Sequence, residues 1–165
     1  NPDAWSNLGS GTVTIKFYIN DSFGKIGFDE VSIRKDIDMP EITINSPTNN
    51  TAFRLSPFIN LTINEPNLDK VWYTLDGGIT NYTITGLTGT LNQTAWDALS
   101  EGDFNVELFA NDTMGNINNL ITLHLSKDIT GPTITIIRPI DDKKFGRDAP
   151  VFELNITDEN GVGST

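Results

Sequence analysis

Apolar and polar side chains alternate in two separate stretches of the chain. Val13, Ile15, Phe17 and Ile19 are spaced by Thr14, Lys16 and Tyr18; Phe104, Val106, Leu108 and Ala110 are spaced by Asn105, Glu107 and Phe109. A period of two predicts a strand with one buried face. Each stretch runs into the same kind of polar loop, Asn20-Asp21-Ser22-Phe23-Gly24 in the first and Asn111-Asp112-Thr113-Met114-Gly115 in the second. Asp caps a tight turn by accepting from backbone N–H groups, and Gly supplies a positive φ. Beyond the loops Val31 and Ile33 correspond to Leu123 and Leu125. Loop and flanks therefore predict a β-hairpin in each case.

Between the hairpins the pattern predicts strands over 41–45, 58–64, 70–75 and 80–85, the second of them burying Ile59, Leu61 and Ile63. Asp76-Gly77-Gly78 reads as the tight turn between the last two. Residues 94–102 read as one helical turn entering the long strand, with Trp96 and Leu99 plugging the edge of the fold. About seven short strands with turns every 8–12 residues predict an all-β, Ig-like sandwich.

The hairpins belong to a longer internal repeat. "AWSNLGSGTVTIKFYINDSFGKI" (4–26) matches "AWDALSEGDFNVELFANDTMGNI" (95–117), and "RKDIDMPEITINSP" (34–47) matches "SKDITGPTITIIRP" (126–139) after one inserted residue. After a second insertion "FRLSPFINLTI" (53–63) matches "FGRDAPVFELNI" (145–156). The offset is 91 from Trp5 to Trp96, 92 from Pro47 to Pro139 and 93 from Leu61 to Leu154, the size of one sandwich domain. The phase predicts tandem Ig-like β-sandwich domains: 1–39 as the C-terminal half of one repeat, 40–131 as a complete repeat, and 132–165 as the N-terminal half of the next. The chain is read as a window on a longer array; completion of the half-repeats by adjacent chains is the alternative.

"PEITINSPTNNTAF", "LDKVWYTLDGG", "AWDALSEGDFNVELFANDTMGNIN" and "LSKDITGP" resemble the tandem Ig-like repeats of large archaeal cell-surface proteins, those of Asgard archaea in particular. The Ala110–Asn116 segment is also similar to the last hairpin of bacterial Ig-like adhesin and stalk modules. The resemblance implies an extracellular, membrane-tethered or cell-wall-associated repeat protein with no catalytic residues. The first loop departs from the second at its tip, with Ser22-Phe23-Gly24-Lys25 against Thr113-Met114-Gly115-Asn116.

Composition narrows the function. Acidic residues outnumber basic ones 22 to 11, for a net charge of −11, the wrong sign for nucleic acid. There are no cysteines, so disulfides and thiolate metal sites are excluded. No apolar run reaches the ~20 residues that span a bilayer, and no signal peptide is present, which reads as a mature or internal piece. His124 is the sole histidine and is expected on a strand rim; no Ser-His-Asp or Cys-His arrangement can recur. A lysine–asparagine crosslink in the complete repeat could draw only on Lys70 and Lys127.

Two further chemistries are legible. In an Ig-like sandwich the loop between the second and third strands and the last hairpin loop share the end where the chain enters. That arrangement brings Asp36 and Asp38 of the linker towards Glu65 and Asp112, and Asp128 towards Asp158 and Glu159. Calcium takes six to eight oxygens, chiefly carboxylate and carbonyl, so these are the candidate metal ligands at the junctions. No contiguous calcium loop is present, and the Asn-Asp-x-x-Gly stretches also suit plain hairpin turns. Asn-x-Ser/Thr acceptors occur at Asn20, Asn49, Asn60, Asn81, Asn92, Asn111 and Asn155 and mark glycosylation in an exported protein; Thr and Asn also suit exposed strands without it.

Of the adjacent Trp72 and Tyr73 one must face inward; a Trp on this strand is core in Ig-like domains. Tyr73, Tyr82 and Phe109 would then be exposed, either as ordinary sheet-surface packing or as a platform for sugar stacking or domain contact. The functional reading is a non-catalytic structural repeat, a spacer or scaffold in a stalk, surface layer or filament, whose partners are neighbouring repeats and surface glycans. The alternative is an adhesin-type module that binds glycan or another surface protein.

Overall fold

The computed structural model describes residues 1–161. Helix α1 (Pro2–Ser6) precedes a hairpin of β1 (Gly11–Asn20) and β2 (Ile26–Lys35). Next come β3 (Glu41–Ser46), β4 (Thr51–Phe53), β5 (Phe58–Asn64), β6 (Leu68–Thr74), β7 (Tyr82–Thr83) and β8 (Thr88–Thr90). Helix α2 (Gln93–Ala98), β9 (Gly102–Asp112) and β10 (Ile117–Lys127) complete a central sandwich. A last hairpin pairs β11 (Thr133–Arg138) with β12 (Glu153–Thr157).

The sandwich packs a three-stranded sheet, β3-β5-β8, against a five-stranded sheet, β4-β10-β9-β6-β7. The first sheet contributes Ile42, Ile59 and Leu61 to the core; the second contributes Val71, Tyr73, Val106, Leu108 and Leu125. Each such side chain contributes about 1.5–3 kcal/mol when fully buried. The chain changes sheets between β3 and β4, and β4 then runs parallel to β10. At this crossing the His124 N–H donates to Asn49 Oδ1 at 2.7 Å, and the exposed His124 ring lies 2.7 Å from Asn105 Oδ1 on the neighbouring strand.

Several expectations are corrected. Tyr73, not Trp72, is the core residue of β6, because it shares strand parity with buried Val71. Its hydroxyl accepts from the Asn92 N–H at 2.6 Å, while Trp72 stacks on Phe109 on the outer face, with centroids 5.4 Å apart. The proposed platform of Tyr73, Tyr82 and Phe109 is therefore divided between two faces. The strand expected over 80–85 contracts to Tyr82–Thr83. Asp76 Oδ1 accepts from the N–H groups of Ile79 and Thr80 and from the Thr74 hydroxyl, drawing residues through 80 into the turn. Strands β4 and β8 were not expected, since three residues show no period.

The inserted residue of the sequence repeat has a structural counterpart. β1 and β2 pair in unbroken register, whereas β9 and β10 slip between Asn118 and Ile121. A β-bulge thus absorbs the extra residue.

Each short helix ends against a lysine from the far end of the following hairpin. Lys127 Nζ donates to the carbonyls of Trp96 at 2.9 Å and Leu99 at 2.8 Å, 5.5 Å from the centroid of the Trp96 ring. Lys35 repeats this on the carbonyls of Trp5 and Leu8, at 2.7 and 2.5 Å, with the Trp5 ring 5.3 Å away. A helix C-terminus leaves carbonyls without partners and favours a cation. The Lys127 amine is committed to these carbonyls, so the lysine–asparagine crosslink has no support at this position. Lys127→Met keeps the apolar stem but leaves the Leu99 carbonyl without its donor, the Trp96 carbonyl retaining the Leu99 N–H at 3.2 Å. Urea unfolding is expected to show a loss of about 1–3 kcal/mol.

Candidate functional site

The site lies where the linker after β2 meets the loop end of the sandwich. Asp112 ends the inward-facing run of β9 and is buried. Its Oδ1 accepts from the N–H groups of Met114 at 2.9 Å and Asn116 at 2.8 Å, and its Oδ2 from Asn116 Nδ2 at 2.7 Å. Gly115, at φ +90°, lets the turn close. In the other hairpin Asp21 Oδ1 accepts from Phe23 and Lys25 in the same way, both at 2.9 Å.

Asparagine side chains and backbone groups join the three segments. Asn67 Nδ2 donates to Asp36 Oδ2 at 3.0 Å, and the Asn67 N–H donates to Glu65 Oε1 at 2.7 Å. The Thr113 N–H donates to the Asn67 carbonyl at 2.9 Å. Asn116 Nδ2 also reaches the Asp36 carbonyl at 3.4 Å, and Asn118 Nδ2 the Pro40 carbonyl at 2.9 Å. On the other side, the Ile37 N–H donates to Ser10 Oγ at 3.0 Å.

Carboxylate oxygens of Asp36, Glu65 and Asp112 all lie within 4.8 Å of one another. Two oxygens on opposite sides of one calcium ion are separated by about 4.8 Å at most, twice a ~2.4 Å bond. Among the described residues these three are thus the ones placed to share a cation. Asp38 is not in the group; its N–H donates to Asp36 Oδ1 at 3.2 Å. At the next junction Asn160 Nδ2 donates to Asp128 Oδ2 at 2.7 Å and the Asn160 N–H to Asp158 Oδ1 at 2.9 Å, repeating the Asn67 arrangement. Asp128, Asp158 and Glu159 line an open pocket of about 400 Å³ there.

Asn67 and Asn160 carry no charge to mark them as site residues among the carboxylates. Their signal was present, since Asn67 follows Glu65 by the same two positions as Asn160 follows Asp158. Among the glycosylation acceptors Asn20, Asn49, Asn81, Asn92 and Asn155 are exposed, and Asn60 is half-buried. The Asn111 amide donates to Asp69 and to the Asp112 carbonyl, so its nitrogen is engaged. An open cleft of about 370 Å³ lies between β7 and β8, lined by Asn81, Tyr82, Thr83, Thr88 and Asn92.

No family model and no curated protein matches the chain. Among solved structures it is similar to the fibronectin(III)-like modules of Clostridium thermocellum CbhA, at 18% identity and a TM-score of 0.43, over 55% of this chain and 99% of that one.

Burial pushes the Asp112 carboxyl up, but the side-chain and backbone donors of Asn116, Met114 and Gly115 outweigh it and hold the group below its usual value. Hydrogen bonds from Thr74, Thr80 and Ile79 take Asp76 from 3.8 to about 2. A carboxyl lowered in the folded state stabilises fully above its unfolded pKa and loses that contribution as pH falls through the folded value. Acid titration of the unfolding free energy is expected to decline between pH 3.8 and about 2. Asp76→Asn and Asp112→Asn should each flatten that decline.

Proposed function

We propose that the chain is a non-catalytic structural repeat of an extracellular surface protein, serving as spacer or scaffold in a stalk, surface layer or filament. The observation that carries this reading is the hydrogen-bonded linker, in which Asp36 is held by Asn67 and Asn116 while Ile37 is held by Ser10. A short linker tied on both sides resists bending, and repeat proteins transmit their shape through such nearest-neighbour contacts. The same linker geometry returns at Asp128, as an array of like units requires. Among the described residues no helix is long and apolar enough to cross a membrane. The sequence likeness to archaeal surface repeats points to the same setting.

Calcium at Asp36, Glu65 and Asp112 belongs to this proposal, as the ion that would offset three clustered carboxylates in a chain of charge −11. Glycans on the exposed acceptor asparagines would keep such a surface hydrated. A second reading, an adhesin-type module, is favoured by the cleft beside Tyr82 and Asn81, whose aromatic and hydroxyl lining suits a sugar. Glycan-array binding that disappears in Tyr82→Ala would select it.

Residual dipolar couplings of the full chain test the spacer reading. One alignment tensor is expected to fit β1–β2 and the sandwich together, and two in the Asn67→Ala, Asn116→Ala double variant. Independent tensors in the unaltered chain would overturn the reading. Calcium chloride is expected to raise the melting temperature of the wild type and to leave Asp112→Asn unchanged.

A further inference from the structure

The cleft between β7 and β8 is built wholly from residues 59–92, and one glycine keeps it open. β7 ends one sheet and β8 the other. Gly89 of β8 lies opposite Ile59 of β5, and directly opposed residues point to the same side of a sheet. Ile59 is 2% exposed, so position 89 faces inward. The backbone does not ask for glycine there, because its φ lies outside the left-handed region and a Cβ would meet nothing within 4 Å. A side chain would fit, and it would fill the cleft. Glycine within a strand marks a place where something else approaches closely.

The lining suits a sugar ring. Tyr82 stacks on core residue Tyr73, with centroids 5.3 Å apart, and is itself only half-buried. Its exposed part offers an aromatic surface to the C–H side of a pyranose, while the exposed Thr83, Thr88 and Thr90 bring hydroxyls to the mouth. Two of the seven acceptor asparagines, Asn81 and Asn92, line this same cleft. Asn92 is the one held in place. Its N–H donates to the Tyr73 hydroxyl at 2.6 Å, and its Oδ1 accepts from the Ala95 N–H at 3.0 Å as the cap of α2. Neither bond uses Nδ2, whereas Nδ2 of Asn111 is spent on Asp69 and on the Asp112 carbonyl.

We propose that Asn92 carries an N-linked glycan whose first sugar lies in this cleft against Tyr82. The inference rests on the extracellular reading, because the acceptor motif acts only in exported proteins. The sugar arrives on a lipid-linked phosphate. Its anomeric carbon loses the bond to phosphate oxygen and gains one to Asn92 Nδ2, which releases a proton. Oδ1 keeps its bond to the Ala95 N–H, so the cap of α2 survives attachment. A single short link gives the tethered sugar a high effective concentration at the cleft, so that weak stacking suffices to hold it. The cleft is then occupied by the chain's own glycan, in place of the foreign sugar of the adhesin-type reading.

The test uses the 165-residue chain secreted from a eukaryotic host that attaches N-acetylglucosamine-based glycans. Asn81→Gln in every sample leaves Asn92 as the one acceptor at the cleft. Peptide mass mapping is expected to find Asn92 occupied, and nuclear Overhauser contacts to join its first N-acetylglucosamine to the Tyr82 ring. Thr94→Ala removes the acceptor motif but keeps Asn92 and its cap. It is expected to lower the melting temperature by about 2–4 °C more in this chain than in chains carrying Tyr82→Ala or Gly89→Val. Gly89→Val fills the cleft without altering Asn92 or Tyr82. Asn92 bare while other acceptors are occupied, a sugar with no contact to Tyr82, or an equal loss in all three chains would each overturn the proposal. No occupancy at any acceptor would overturn it together with the surface glycans of the extracellular reading. The dipolar couplings judge the spacer reading separately.

Discussion

Removal of the inward face of β9–β10 from water is the interaction on which the rest of the sandwich depends. Strand parity carries that face through Val106, Leu108 and Ala110 on one strand and Leu123 and Leu125 on the other. The same parity does not stop at the apolar residues. It continues to Asp112 at one end and to Lys127 at the other, so the buried face terminates in a charge at each end. A buried charge is costly unless hydrogen-bonded. Asp112 is met by amide donors of its own turn, and Lys127 by carbonyls at the end of α2. The turn and the helix are placed where those two charges need them.

The junction is a consequence of the same arrangement. With Asp112 fixed and anionic, its turn presents Thr113 and Asn116 to the neighbouring loop and linker. Asn67 then closes the set by holding Asp36 while its backbone holds Glu65. The linker is ordered by amide donors against carboxylates, bonds that are stronger than neutral ones. Negative charge gathers at this point, and a cation or the amides must compensate it.

Much of this was legible along the chain. The hairpins, the turn role of Asp21 and Asp112 and the repeat follow from period and spacing; the shared end of sandwich loops gave the approach of Asp36, Glu65 and Asp112 but wrongly placed Asp38 with them. The inserted residue of the repeat was visible too, but its form as a bulge beside Asn118 was not. Asn67 and Asn160 were passed over because an amide carries no charge to mark it. Trp72 was assigned by family habit, whereas parity with Val71 decided for Tyr73.

The sequence by itself determined the all-β character, the strand alternation and the internal repeat, because each is a relation between neighbours or between matching segments of one chain. Only the tertiary structure decided which faces are dry. Ile15, Phe17 and Ile19 carry the same pattern as Val106, Leu108 and Ala110, yet one set is exposed and the other sealed. Alternation specifies which side of a strand seeks cover, and burial requires a second sheet to be present against it.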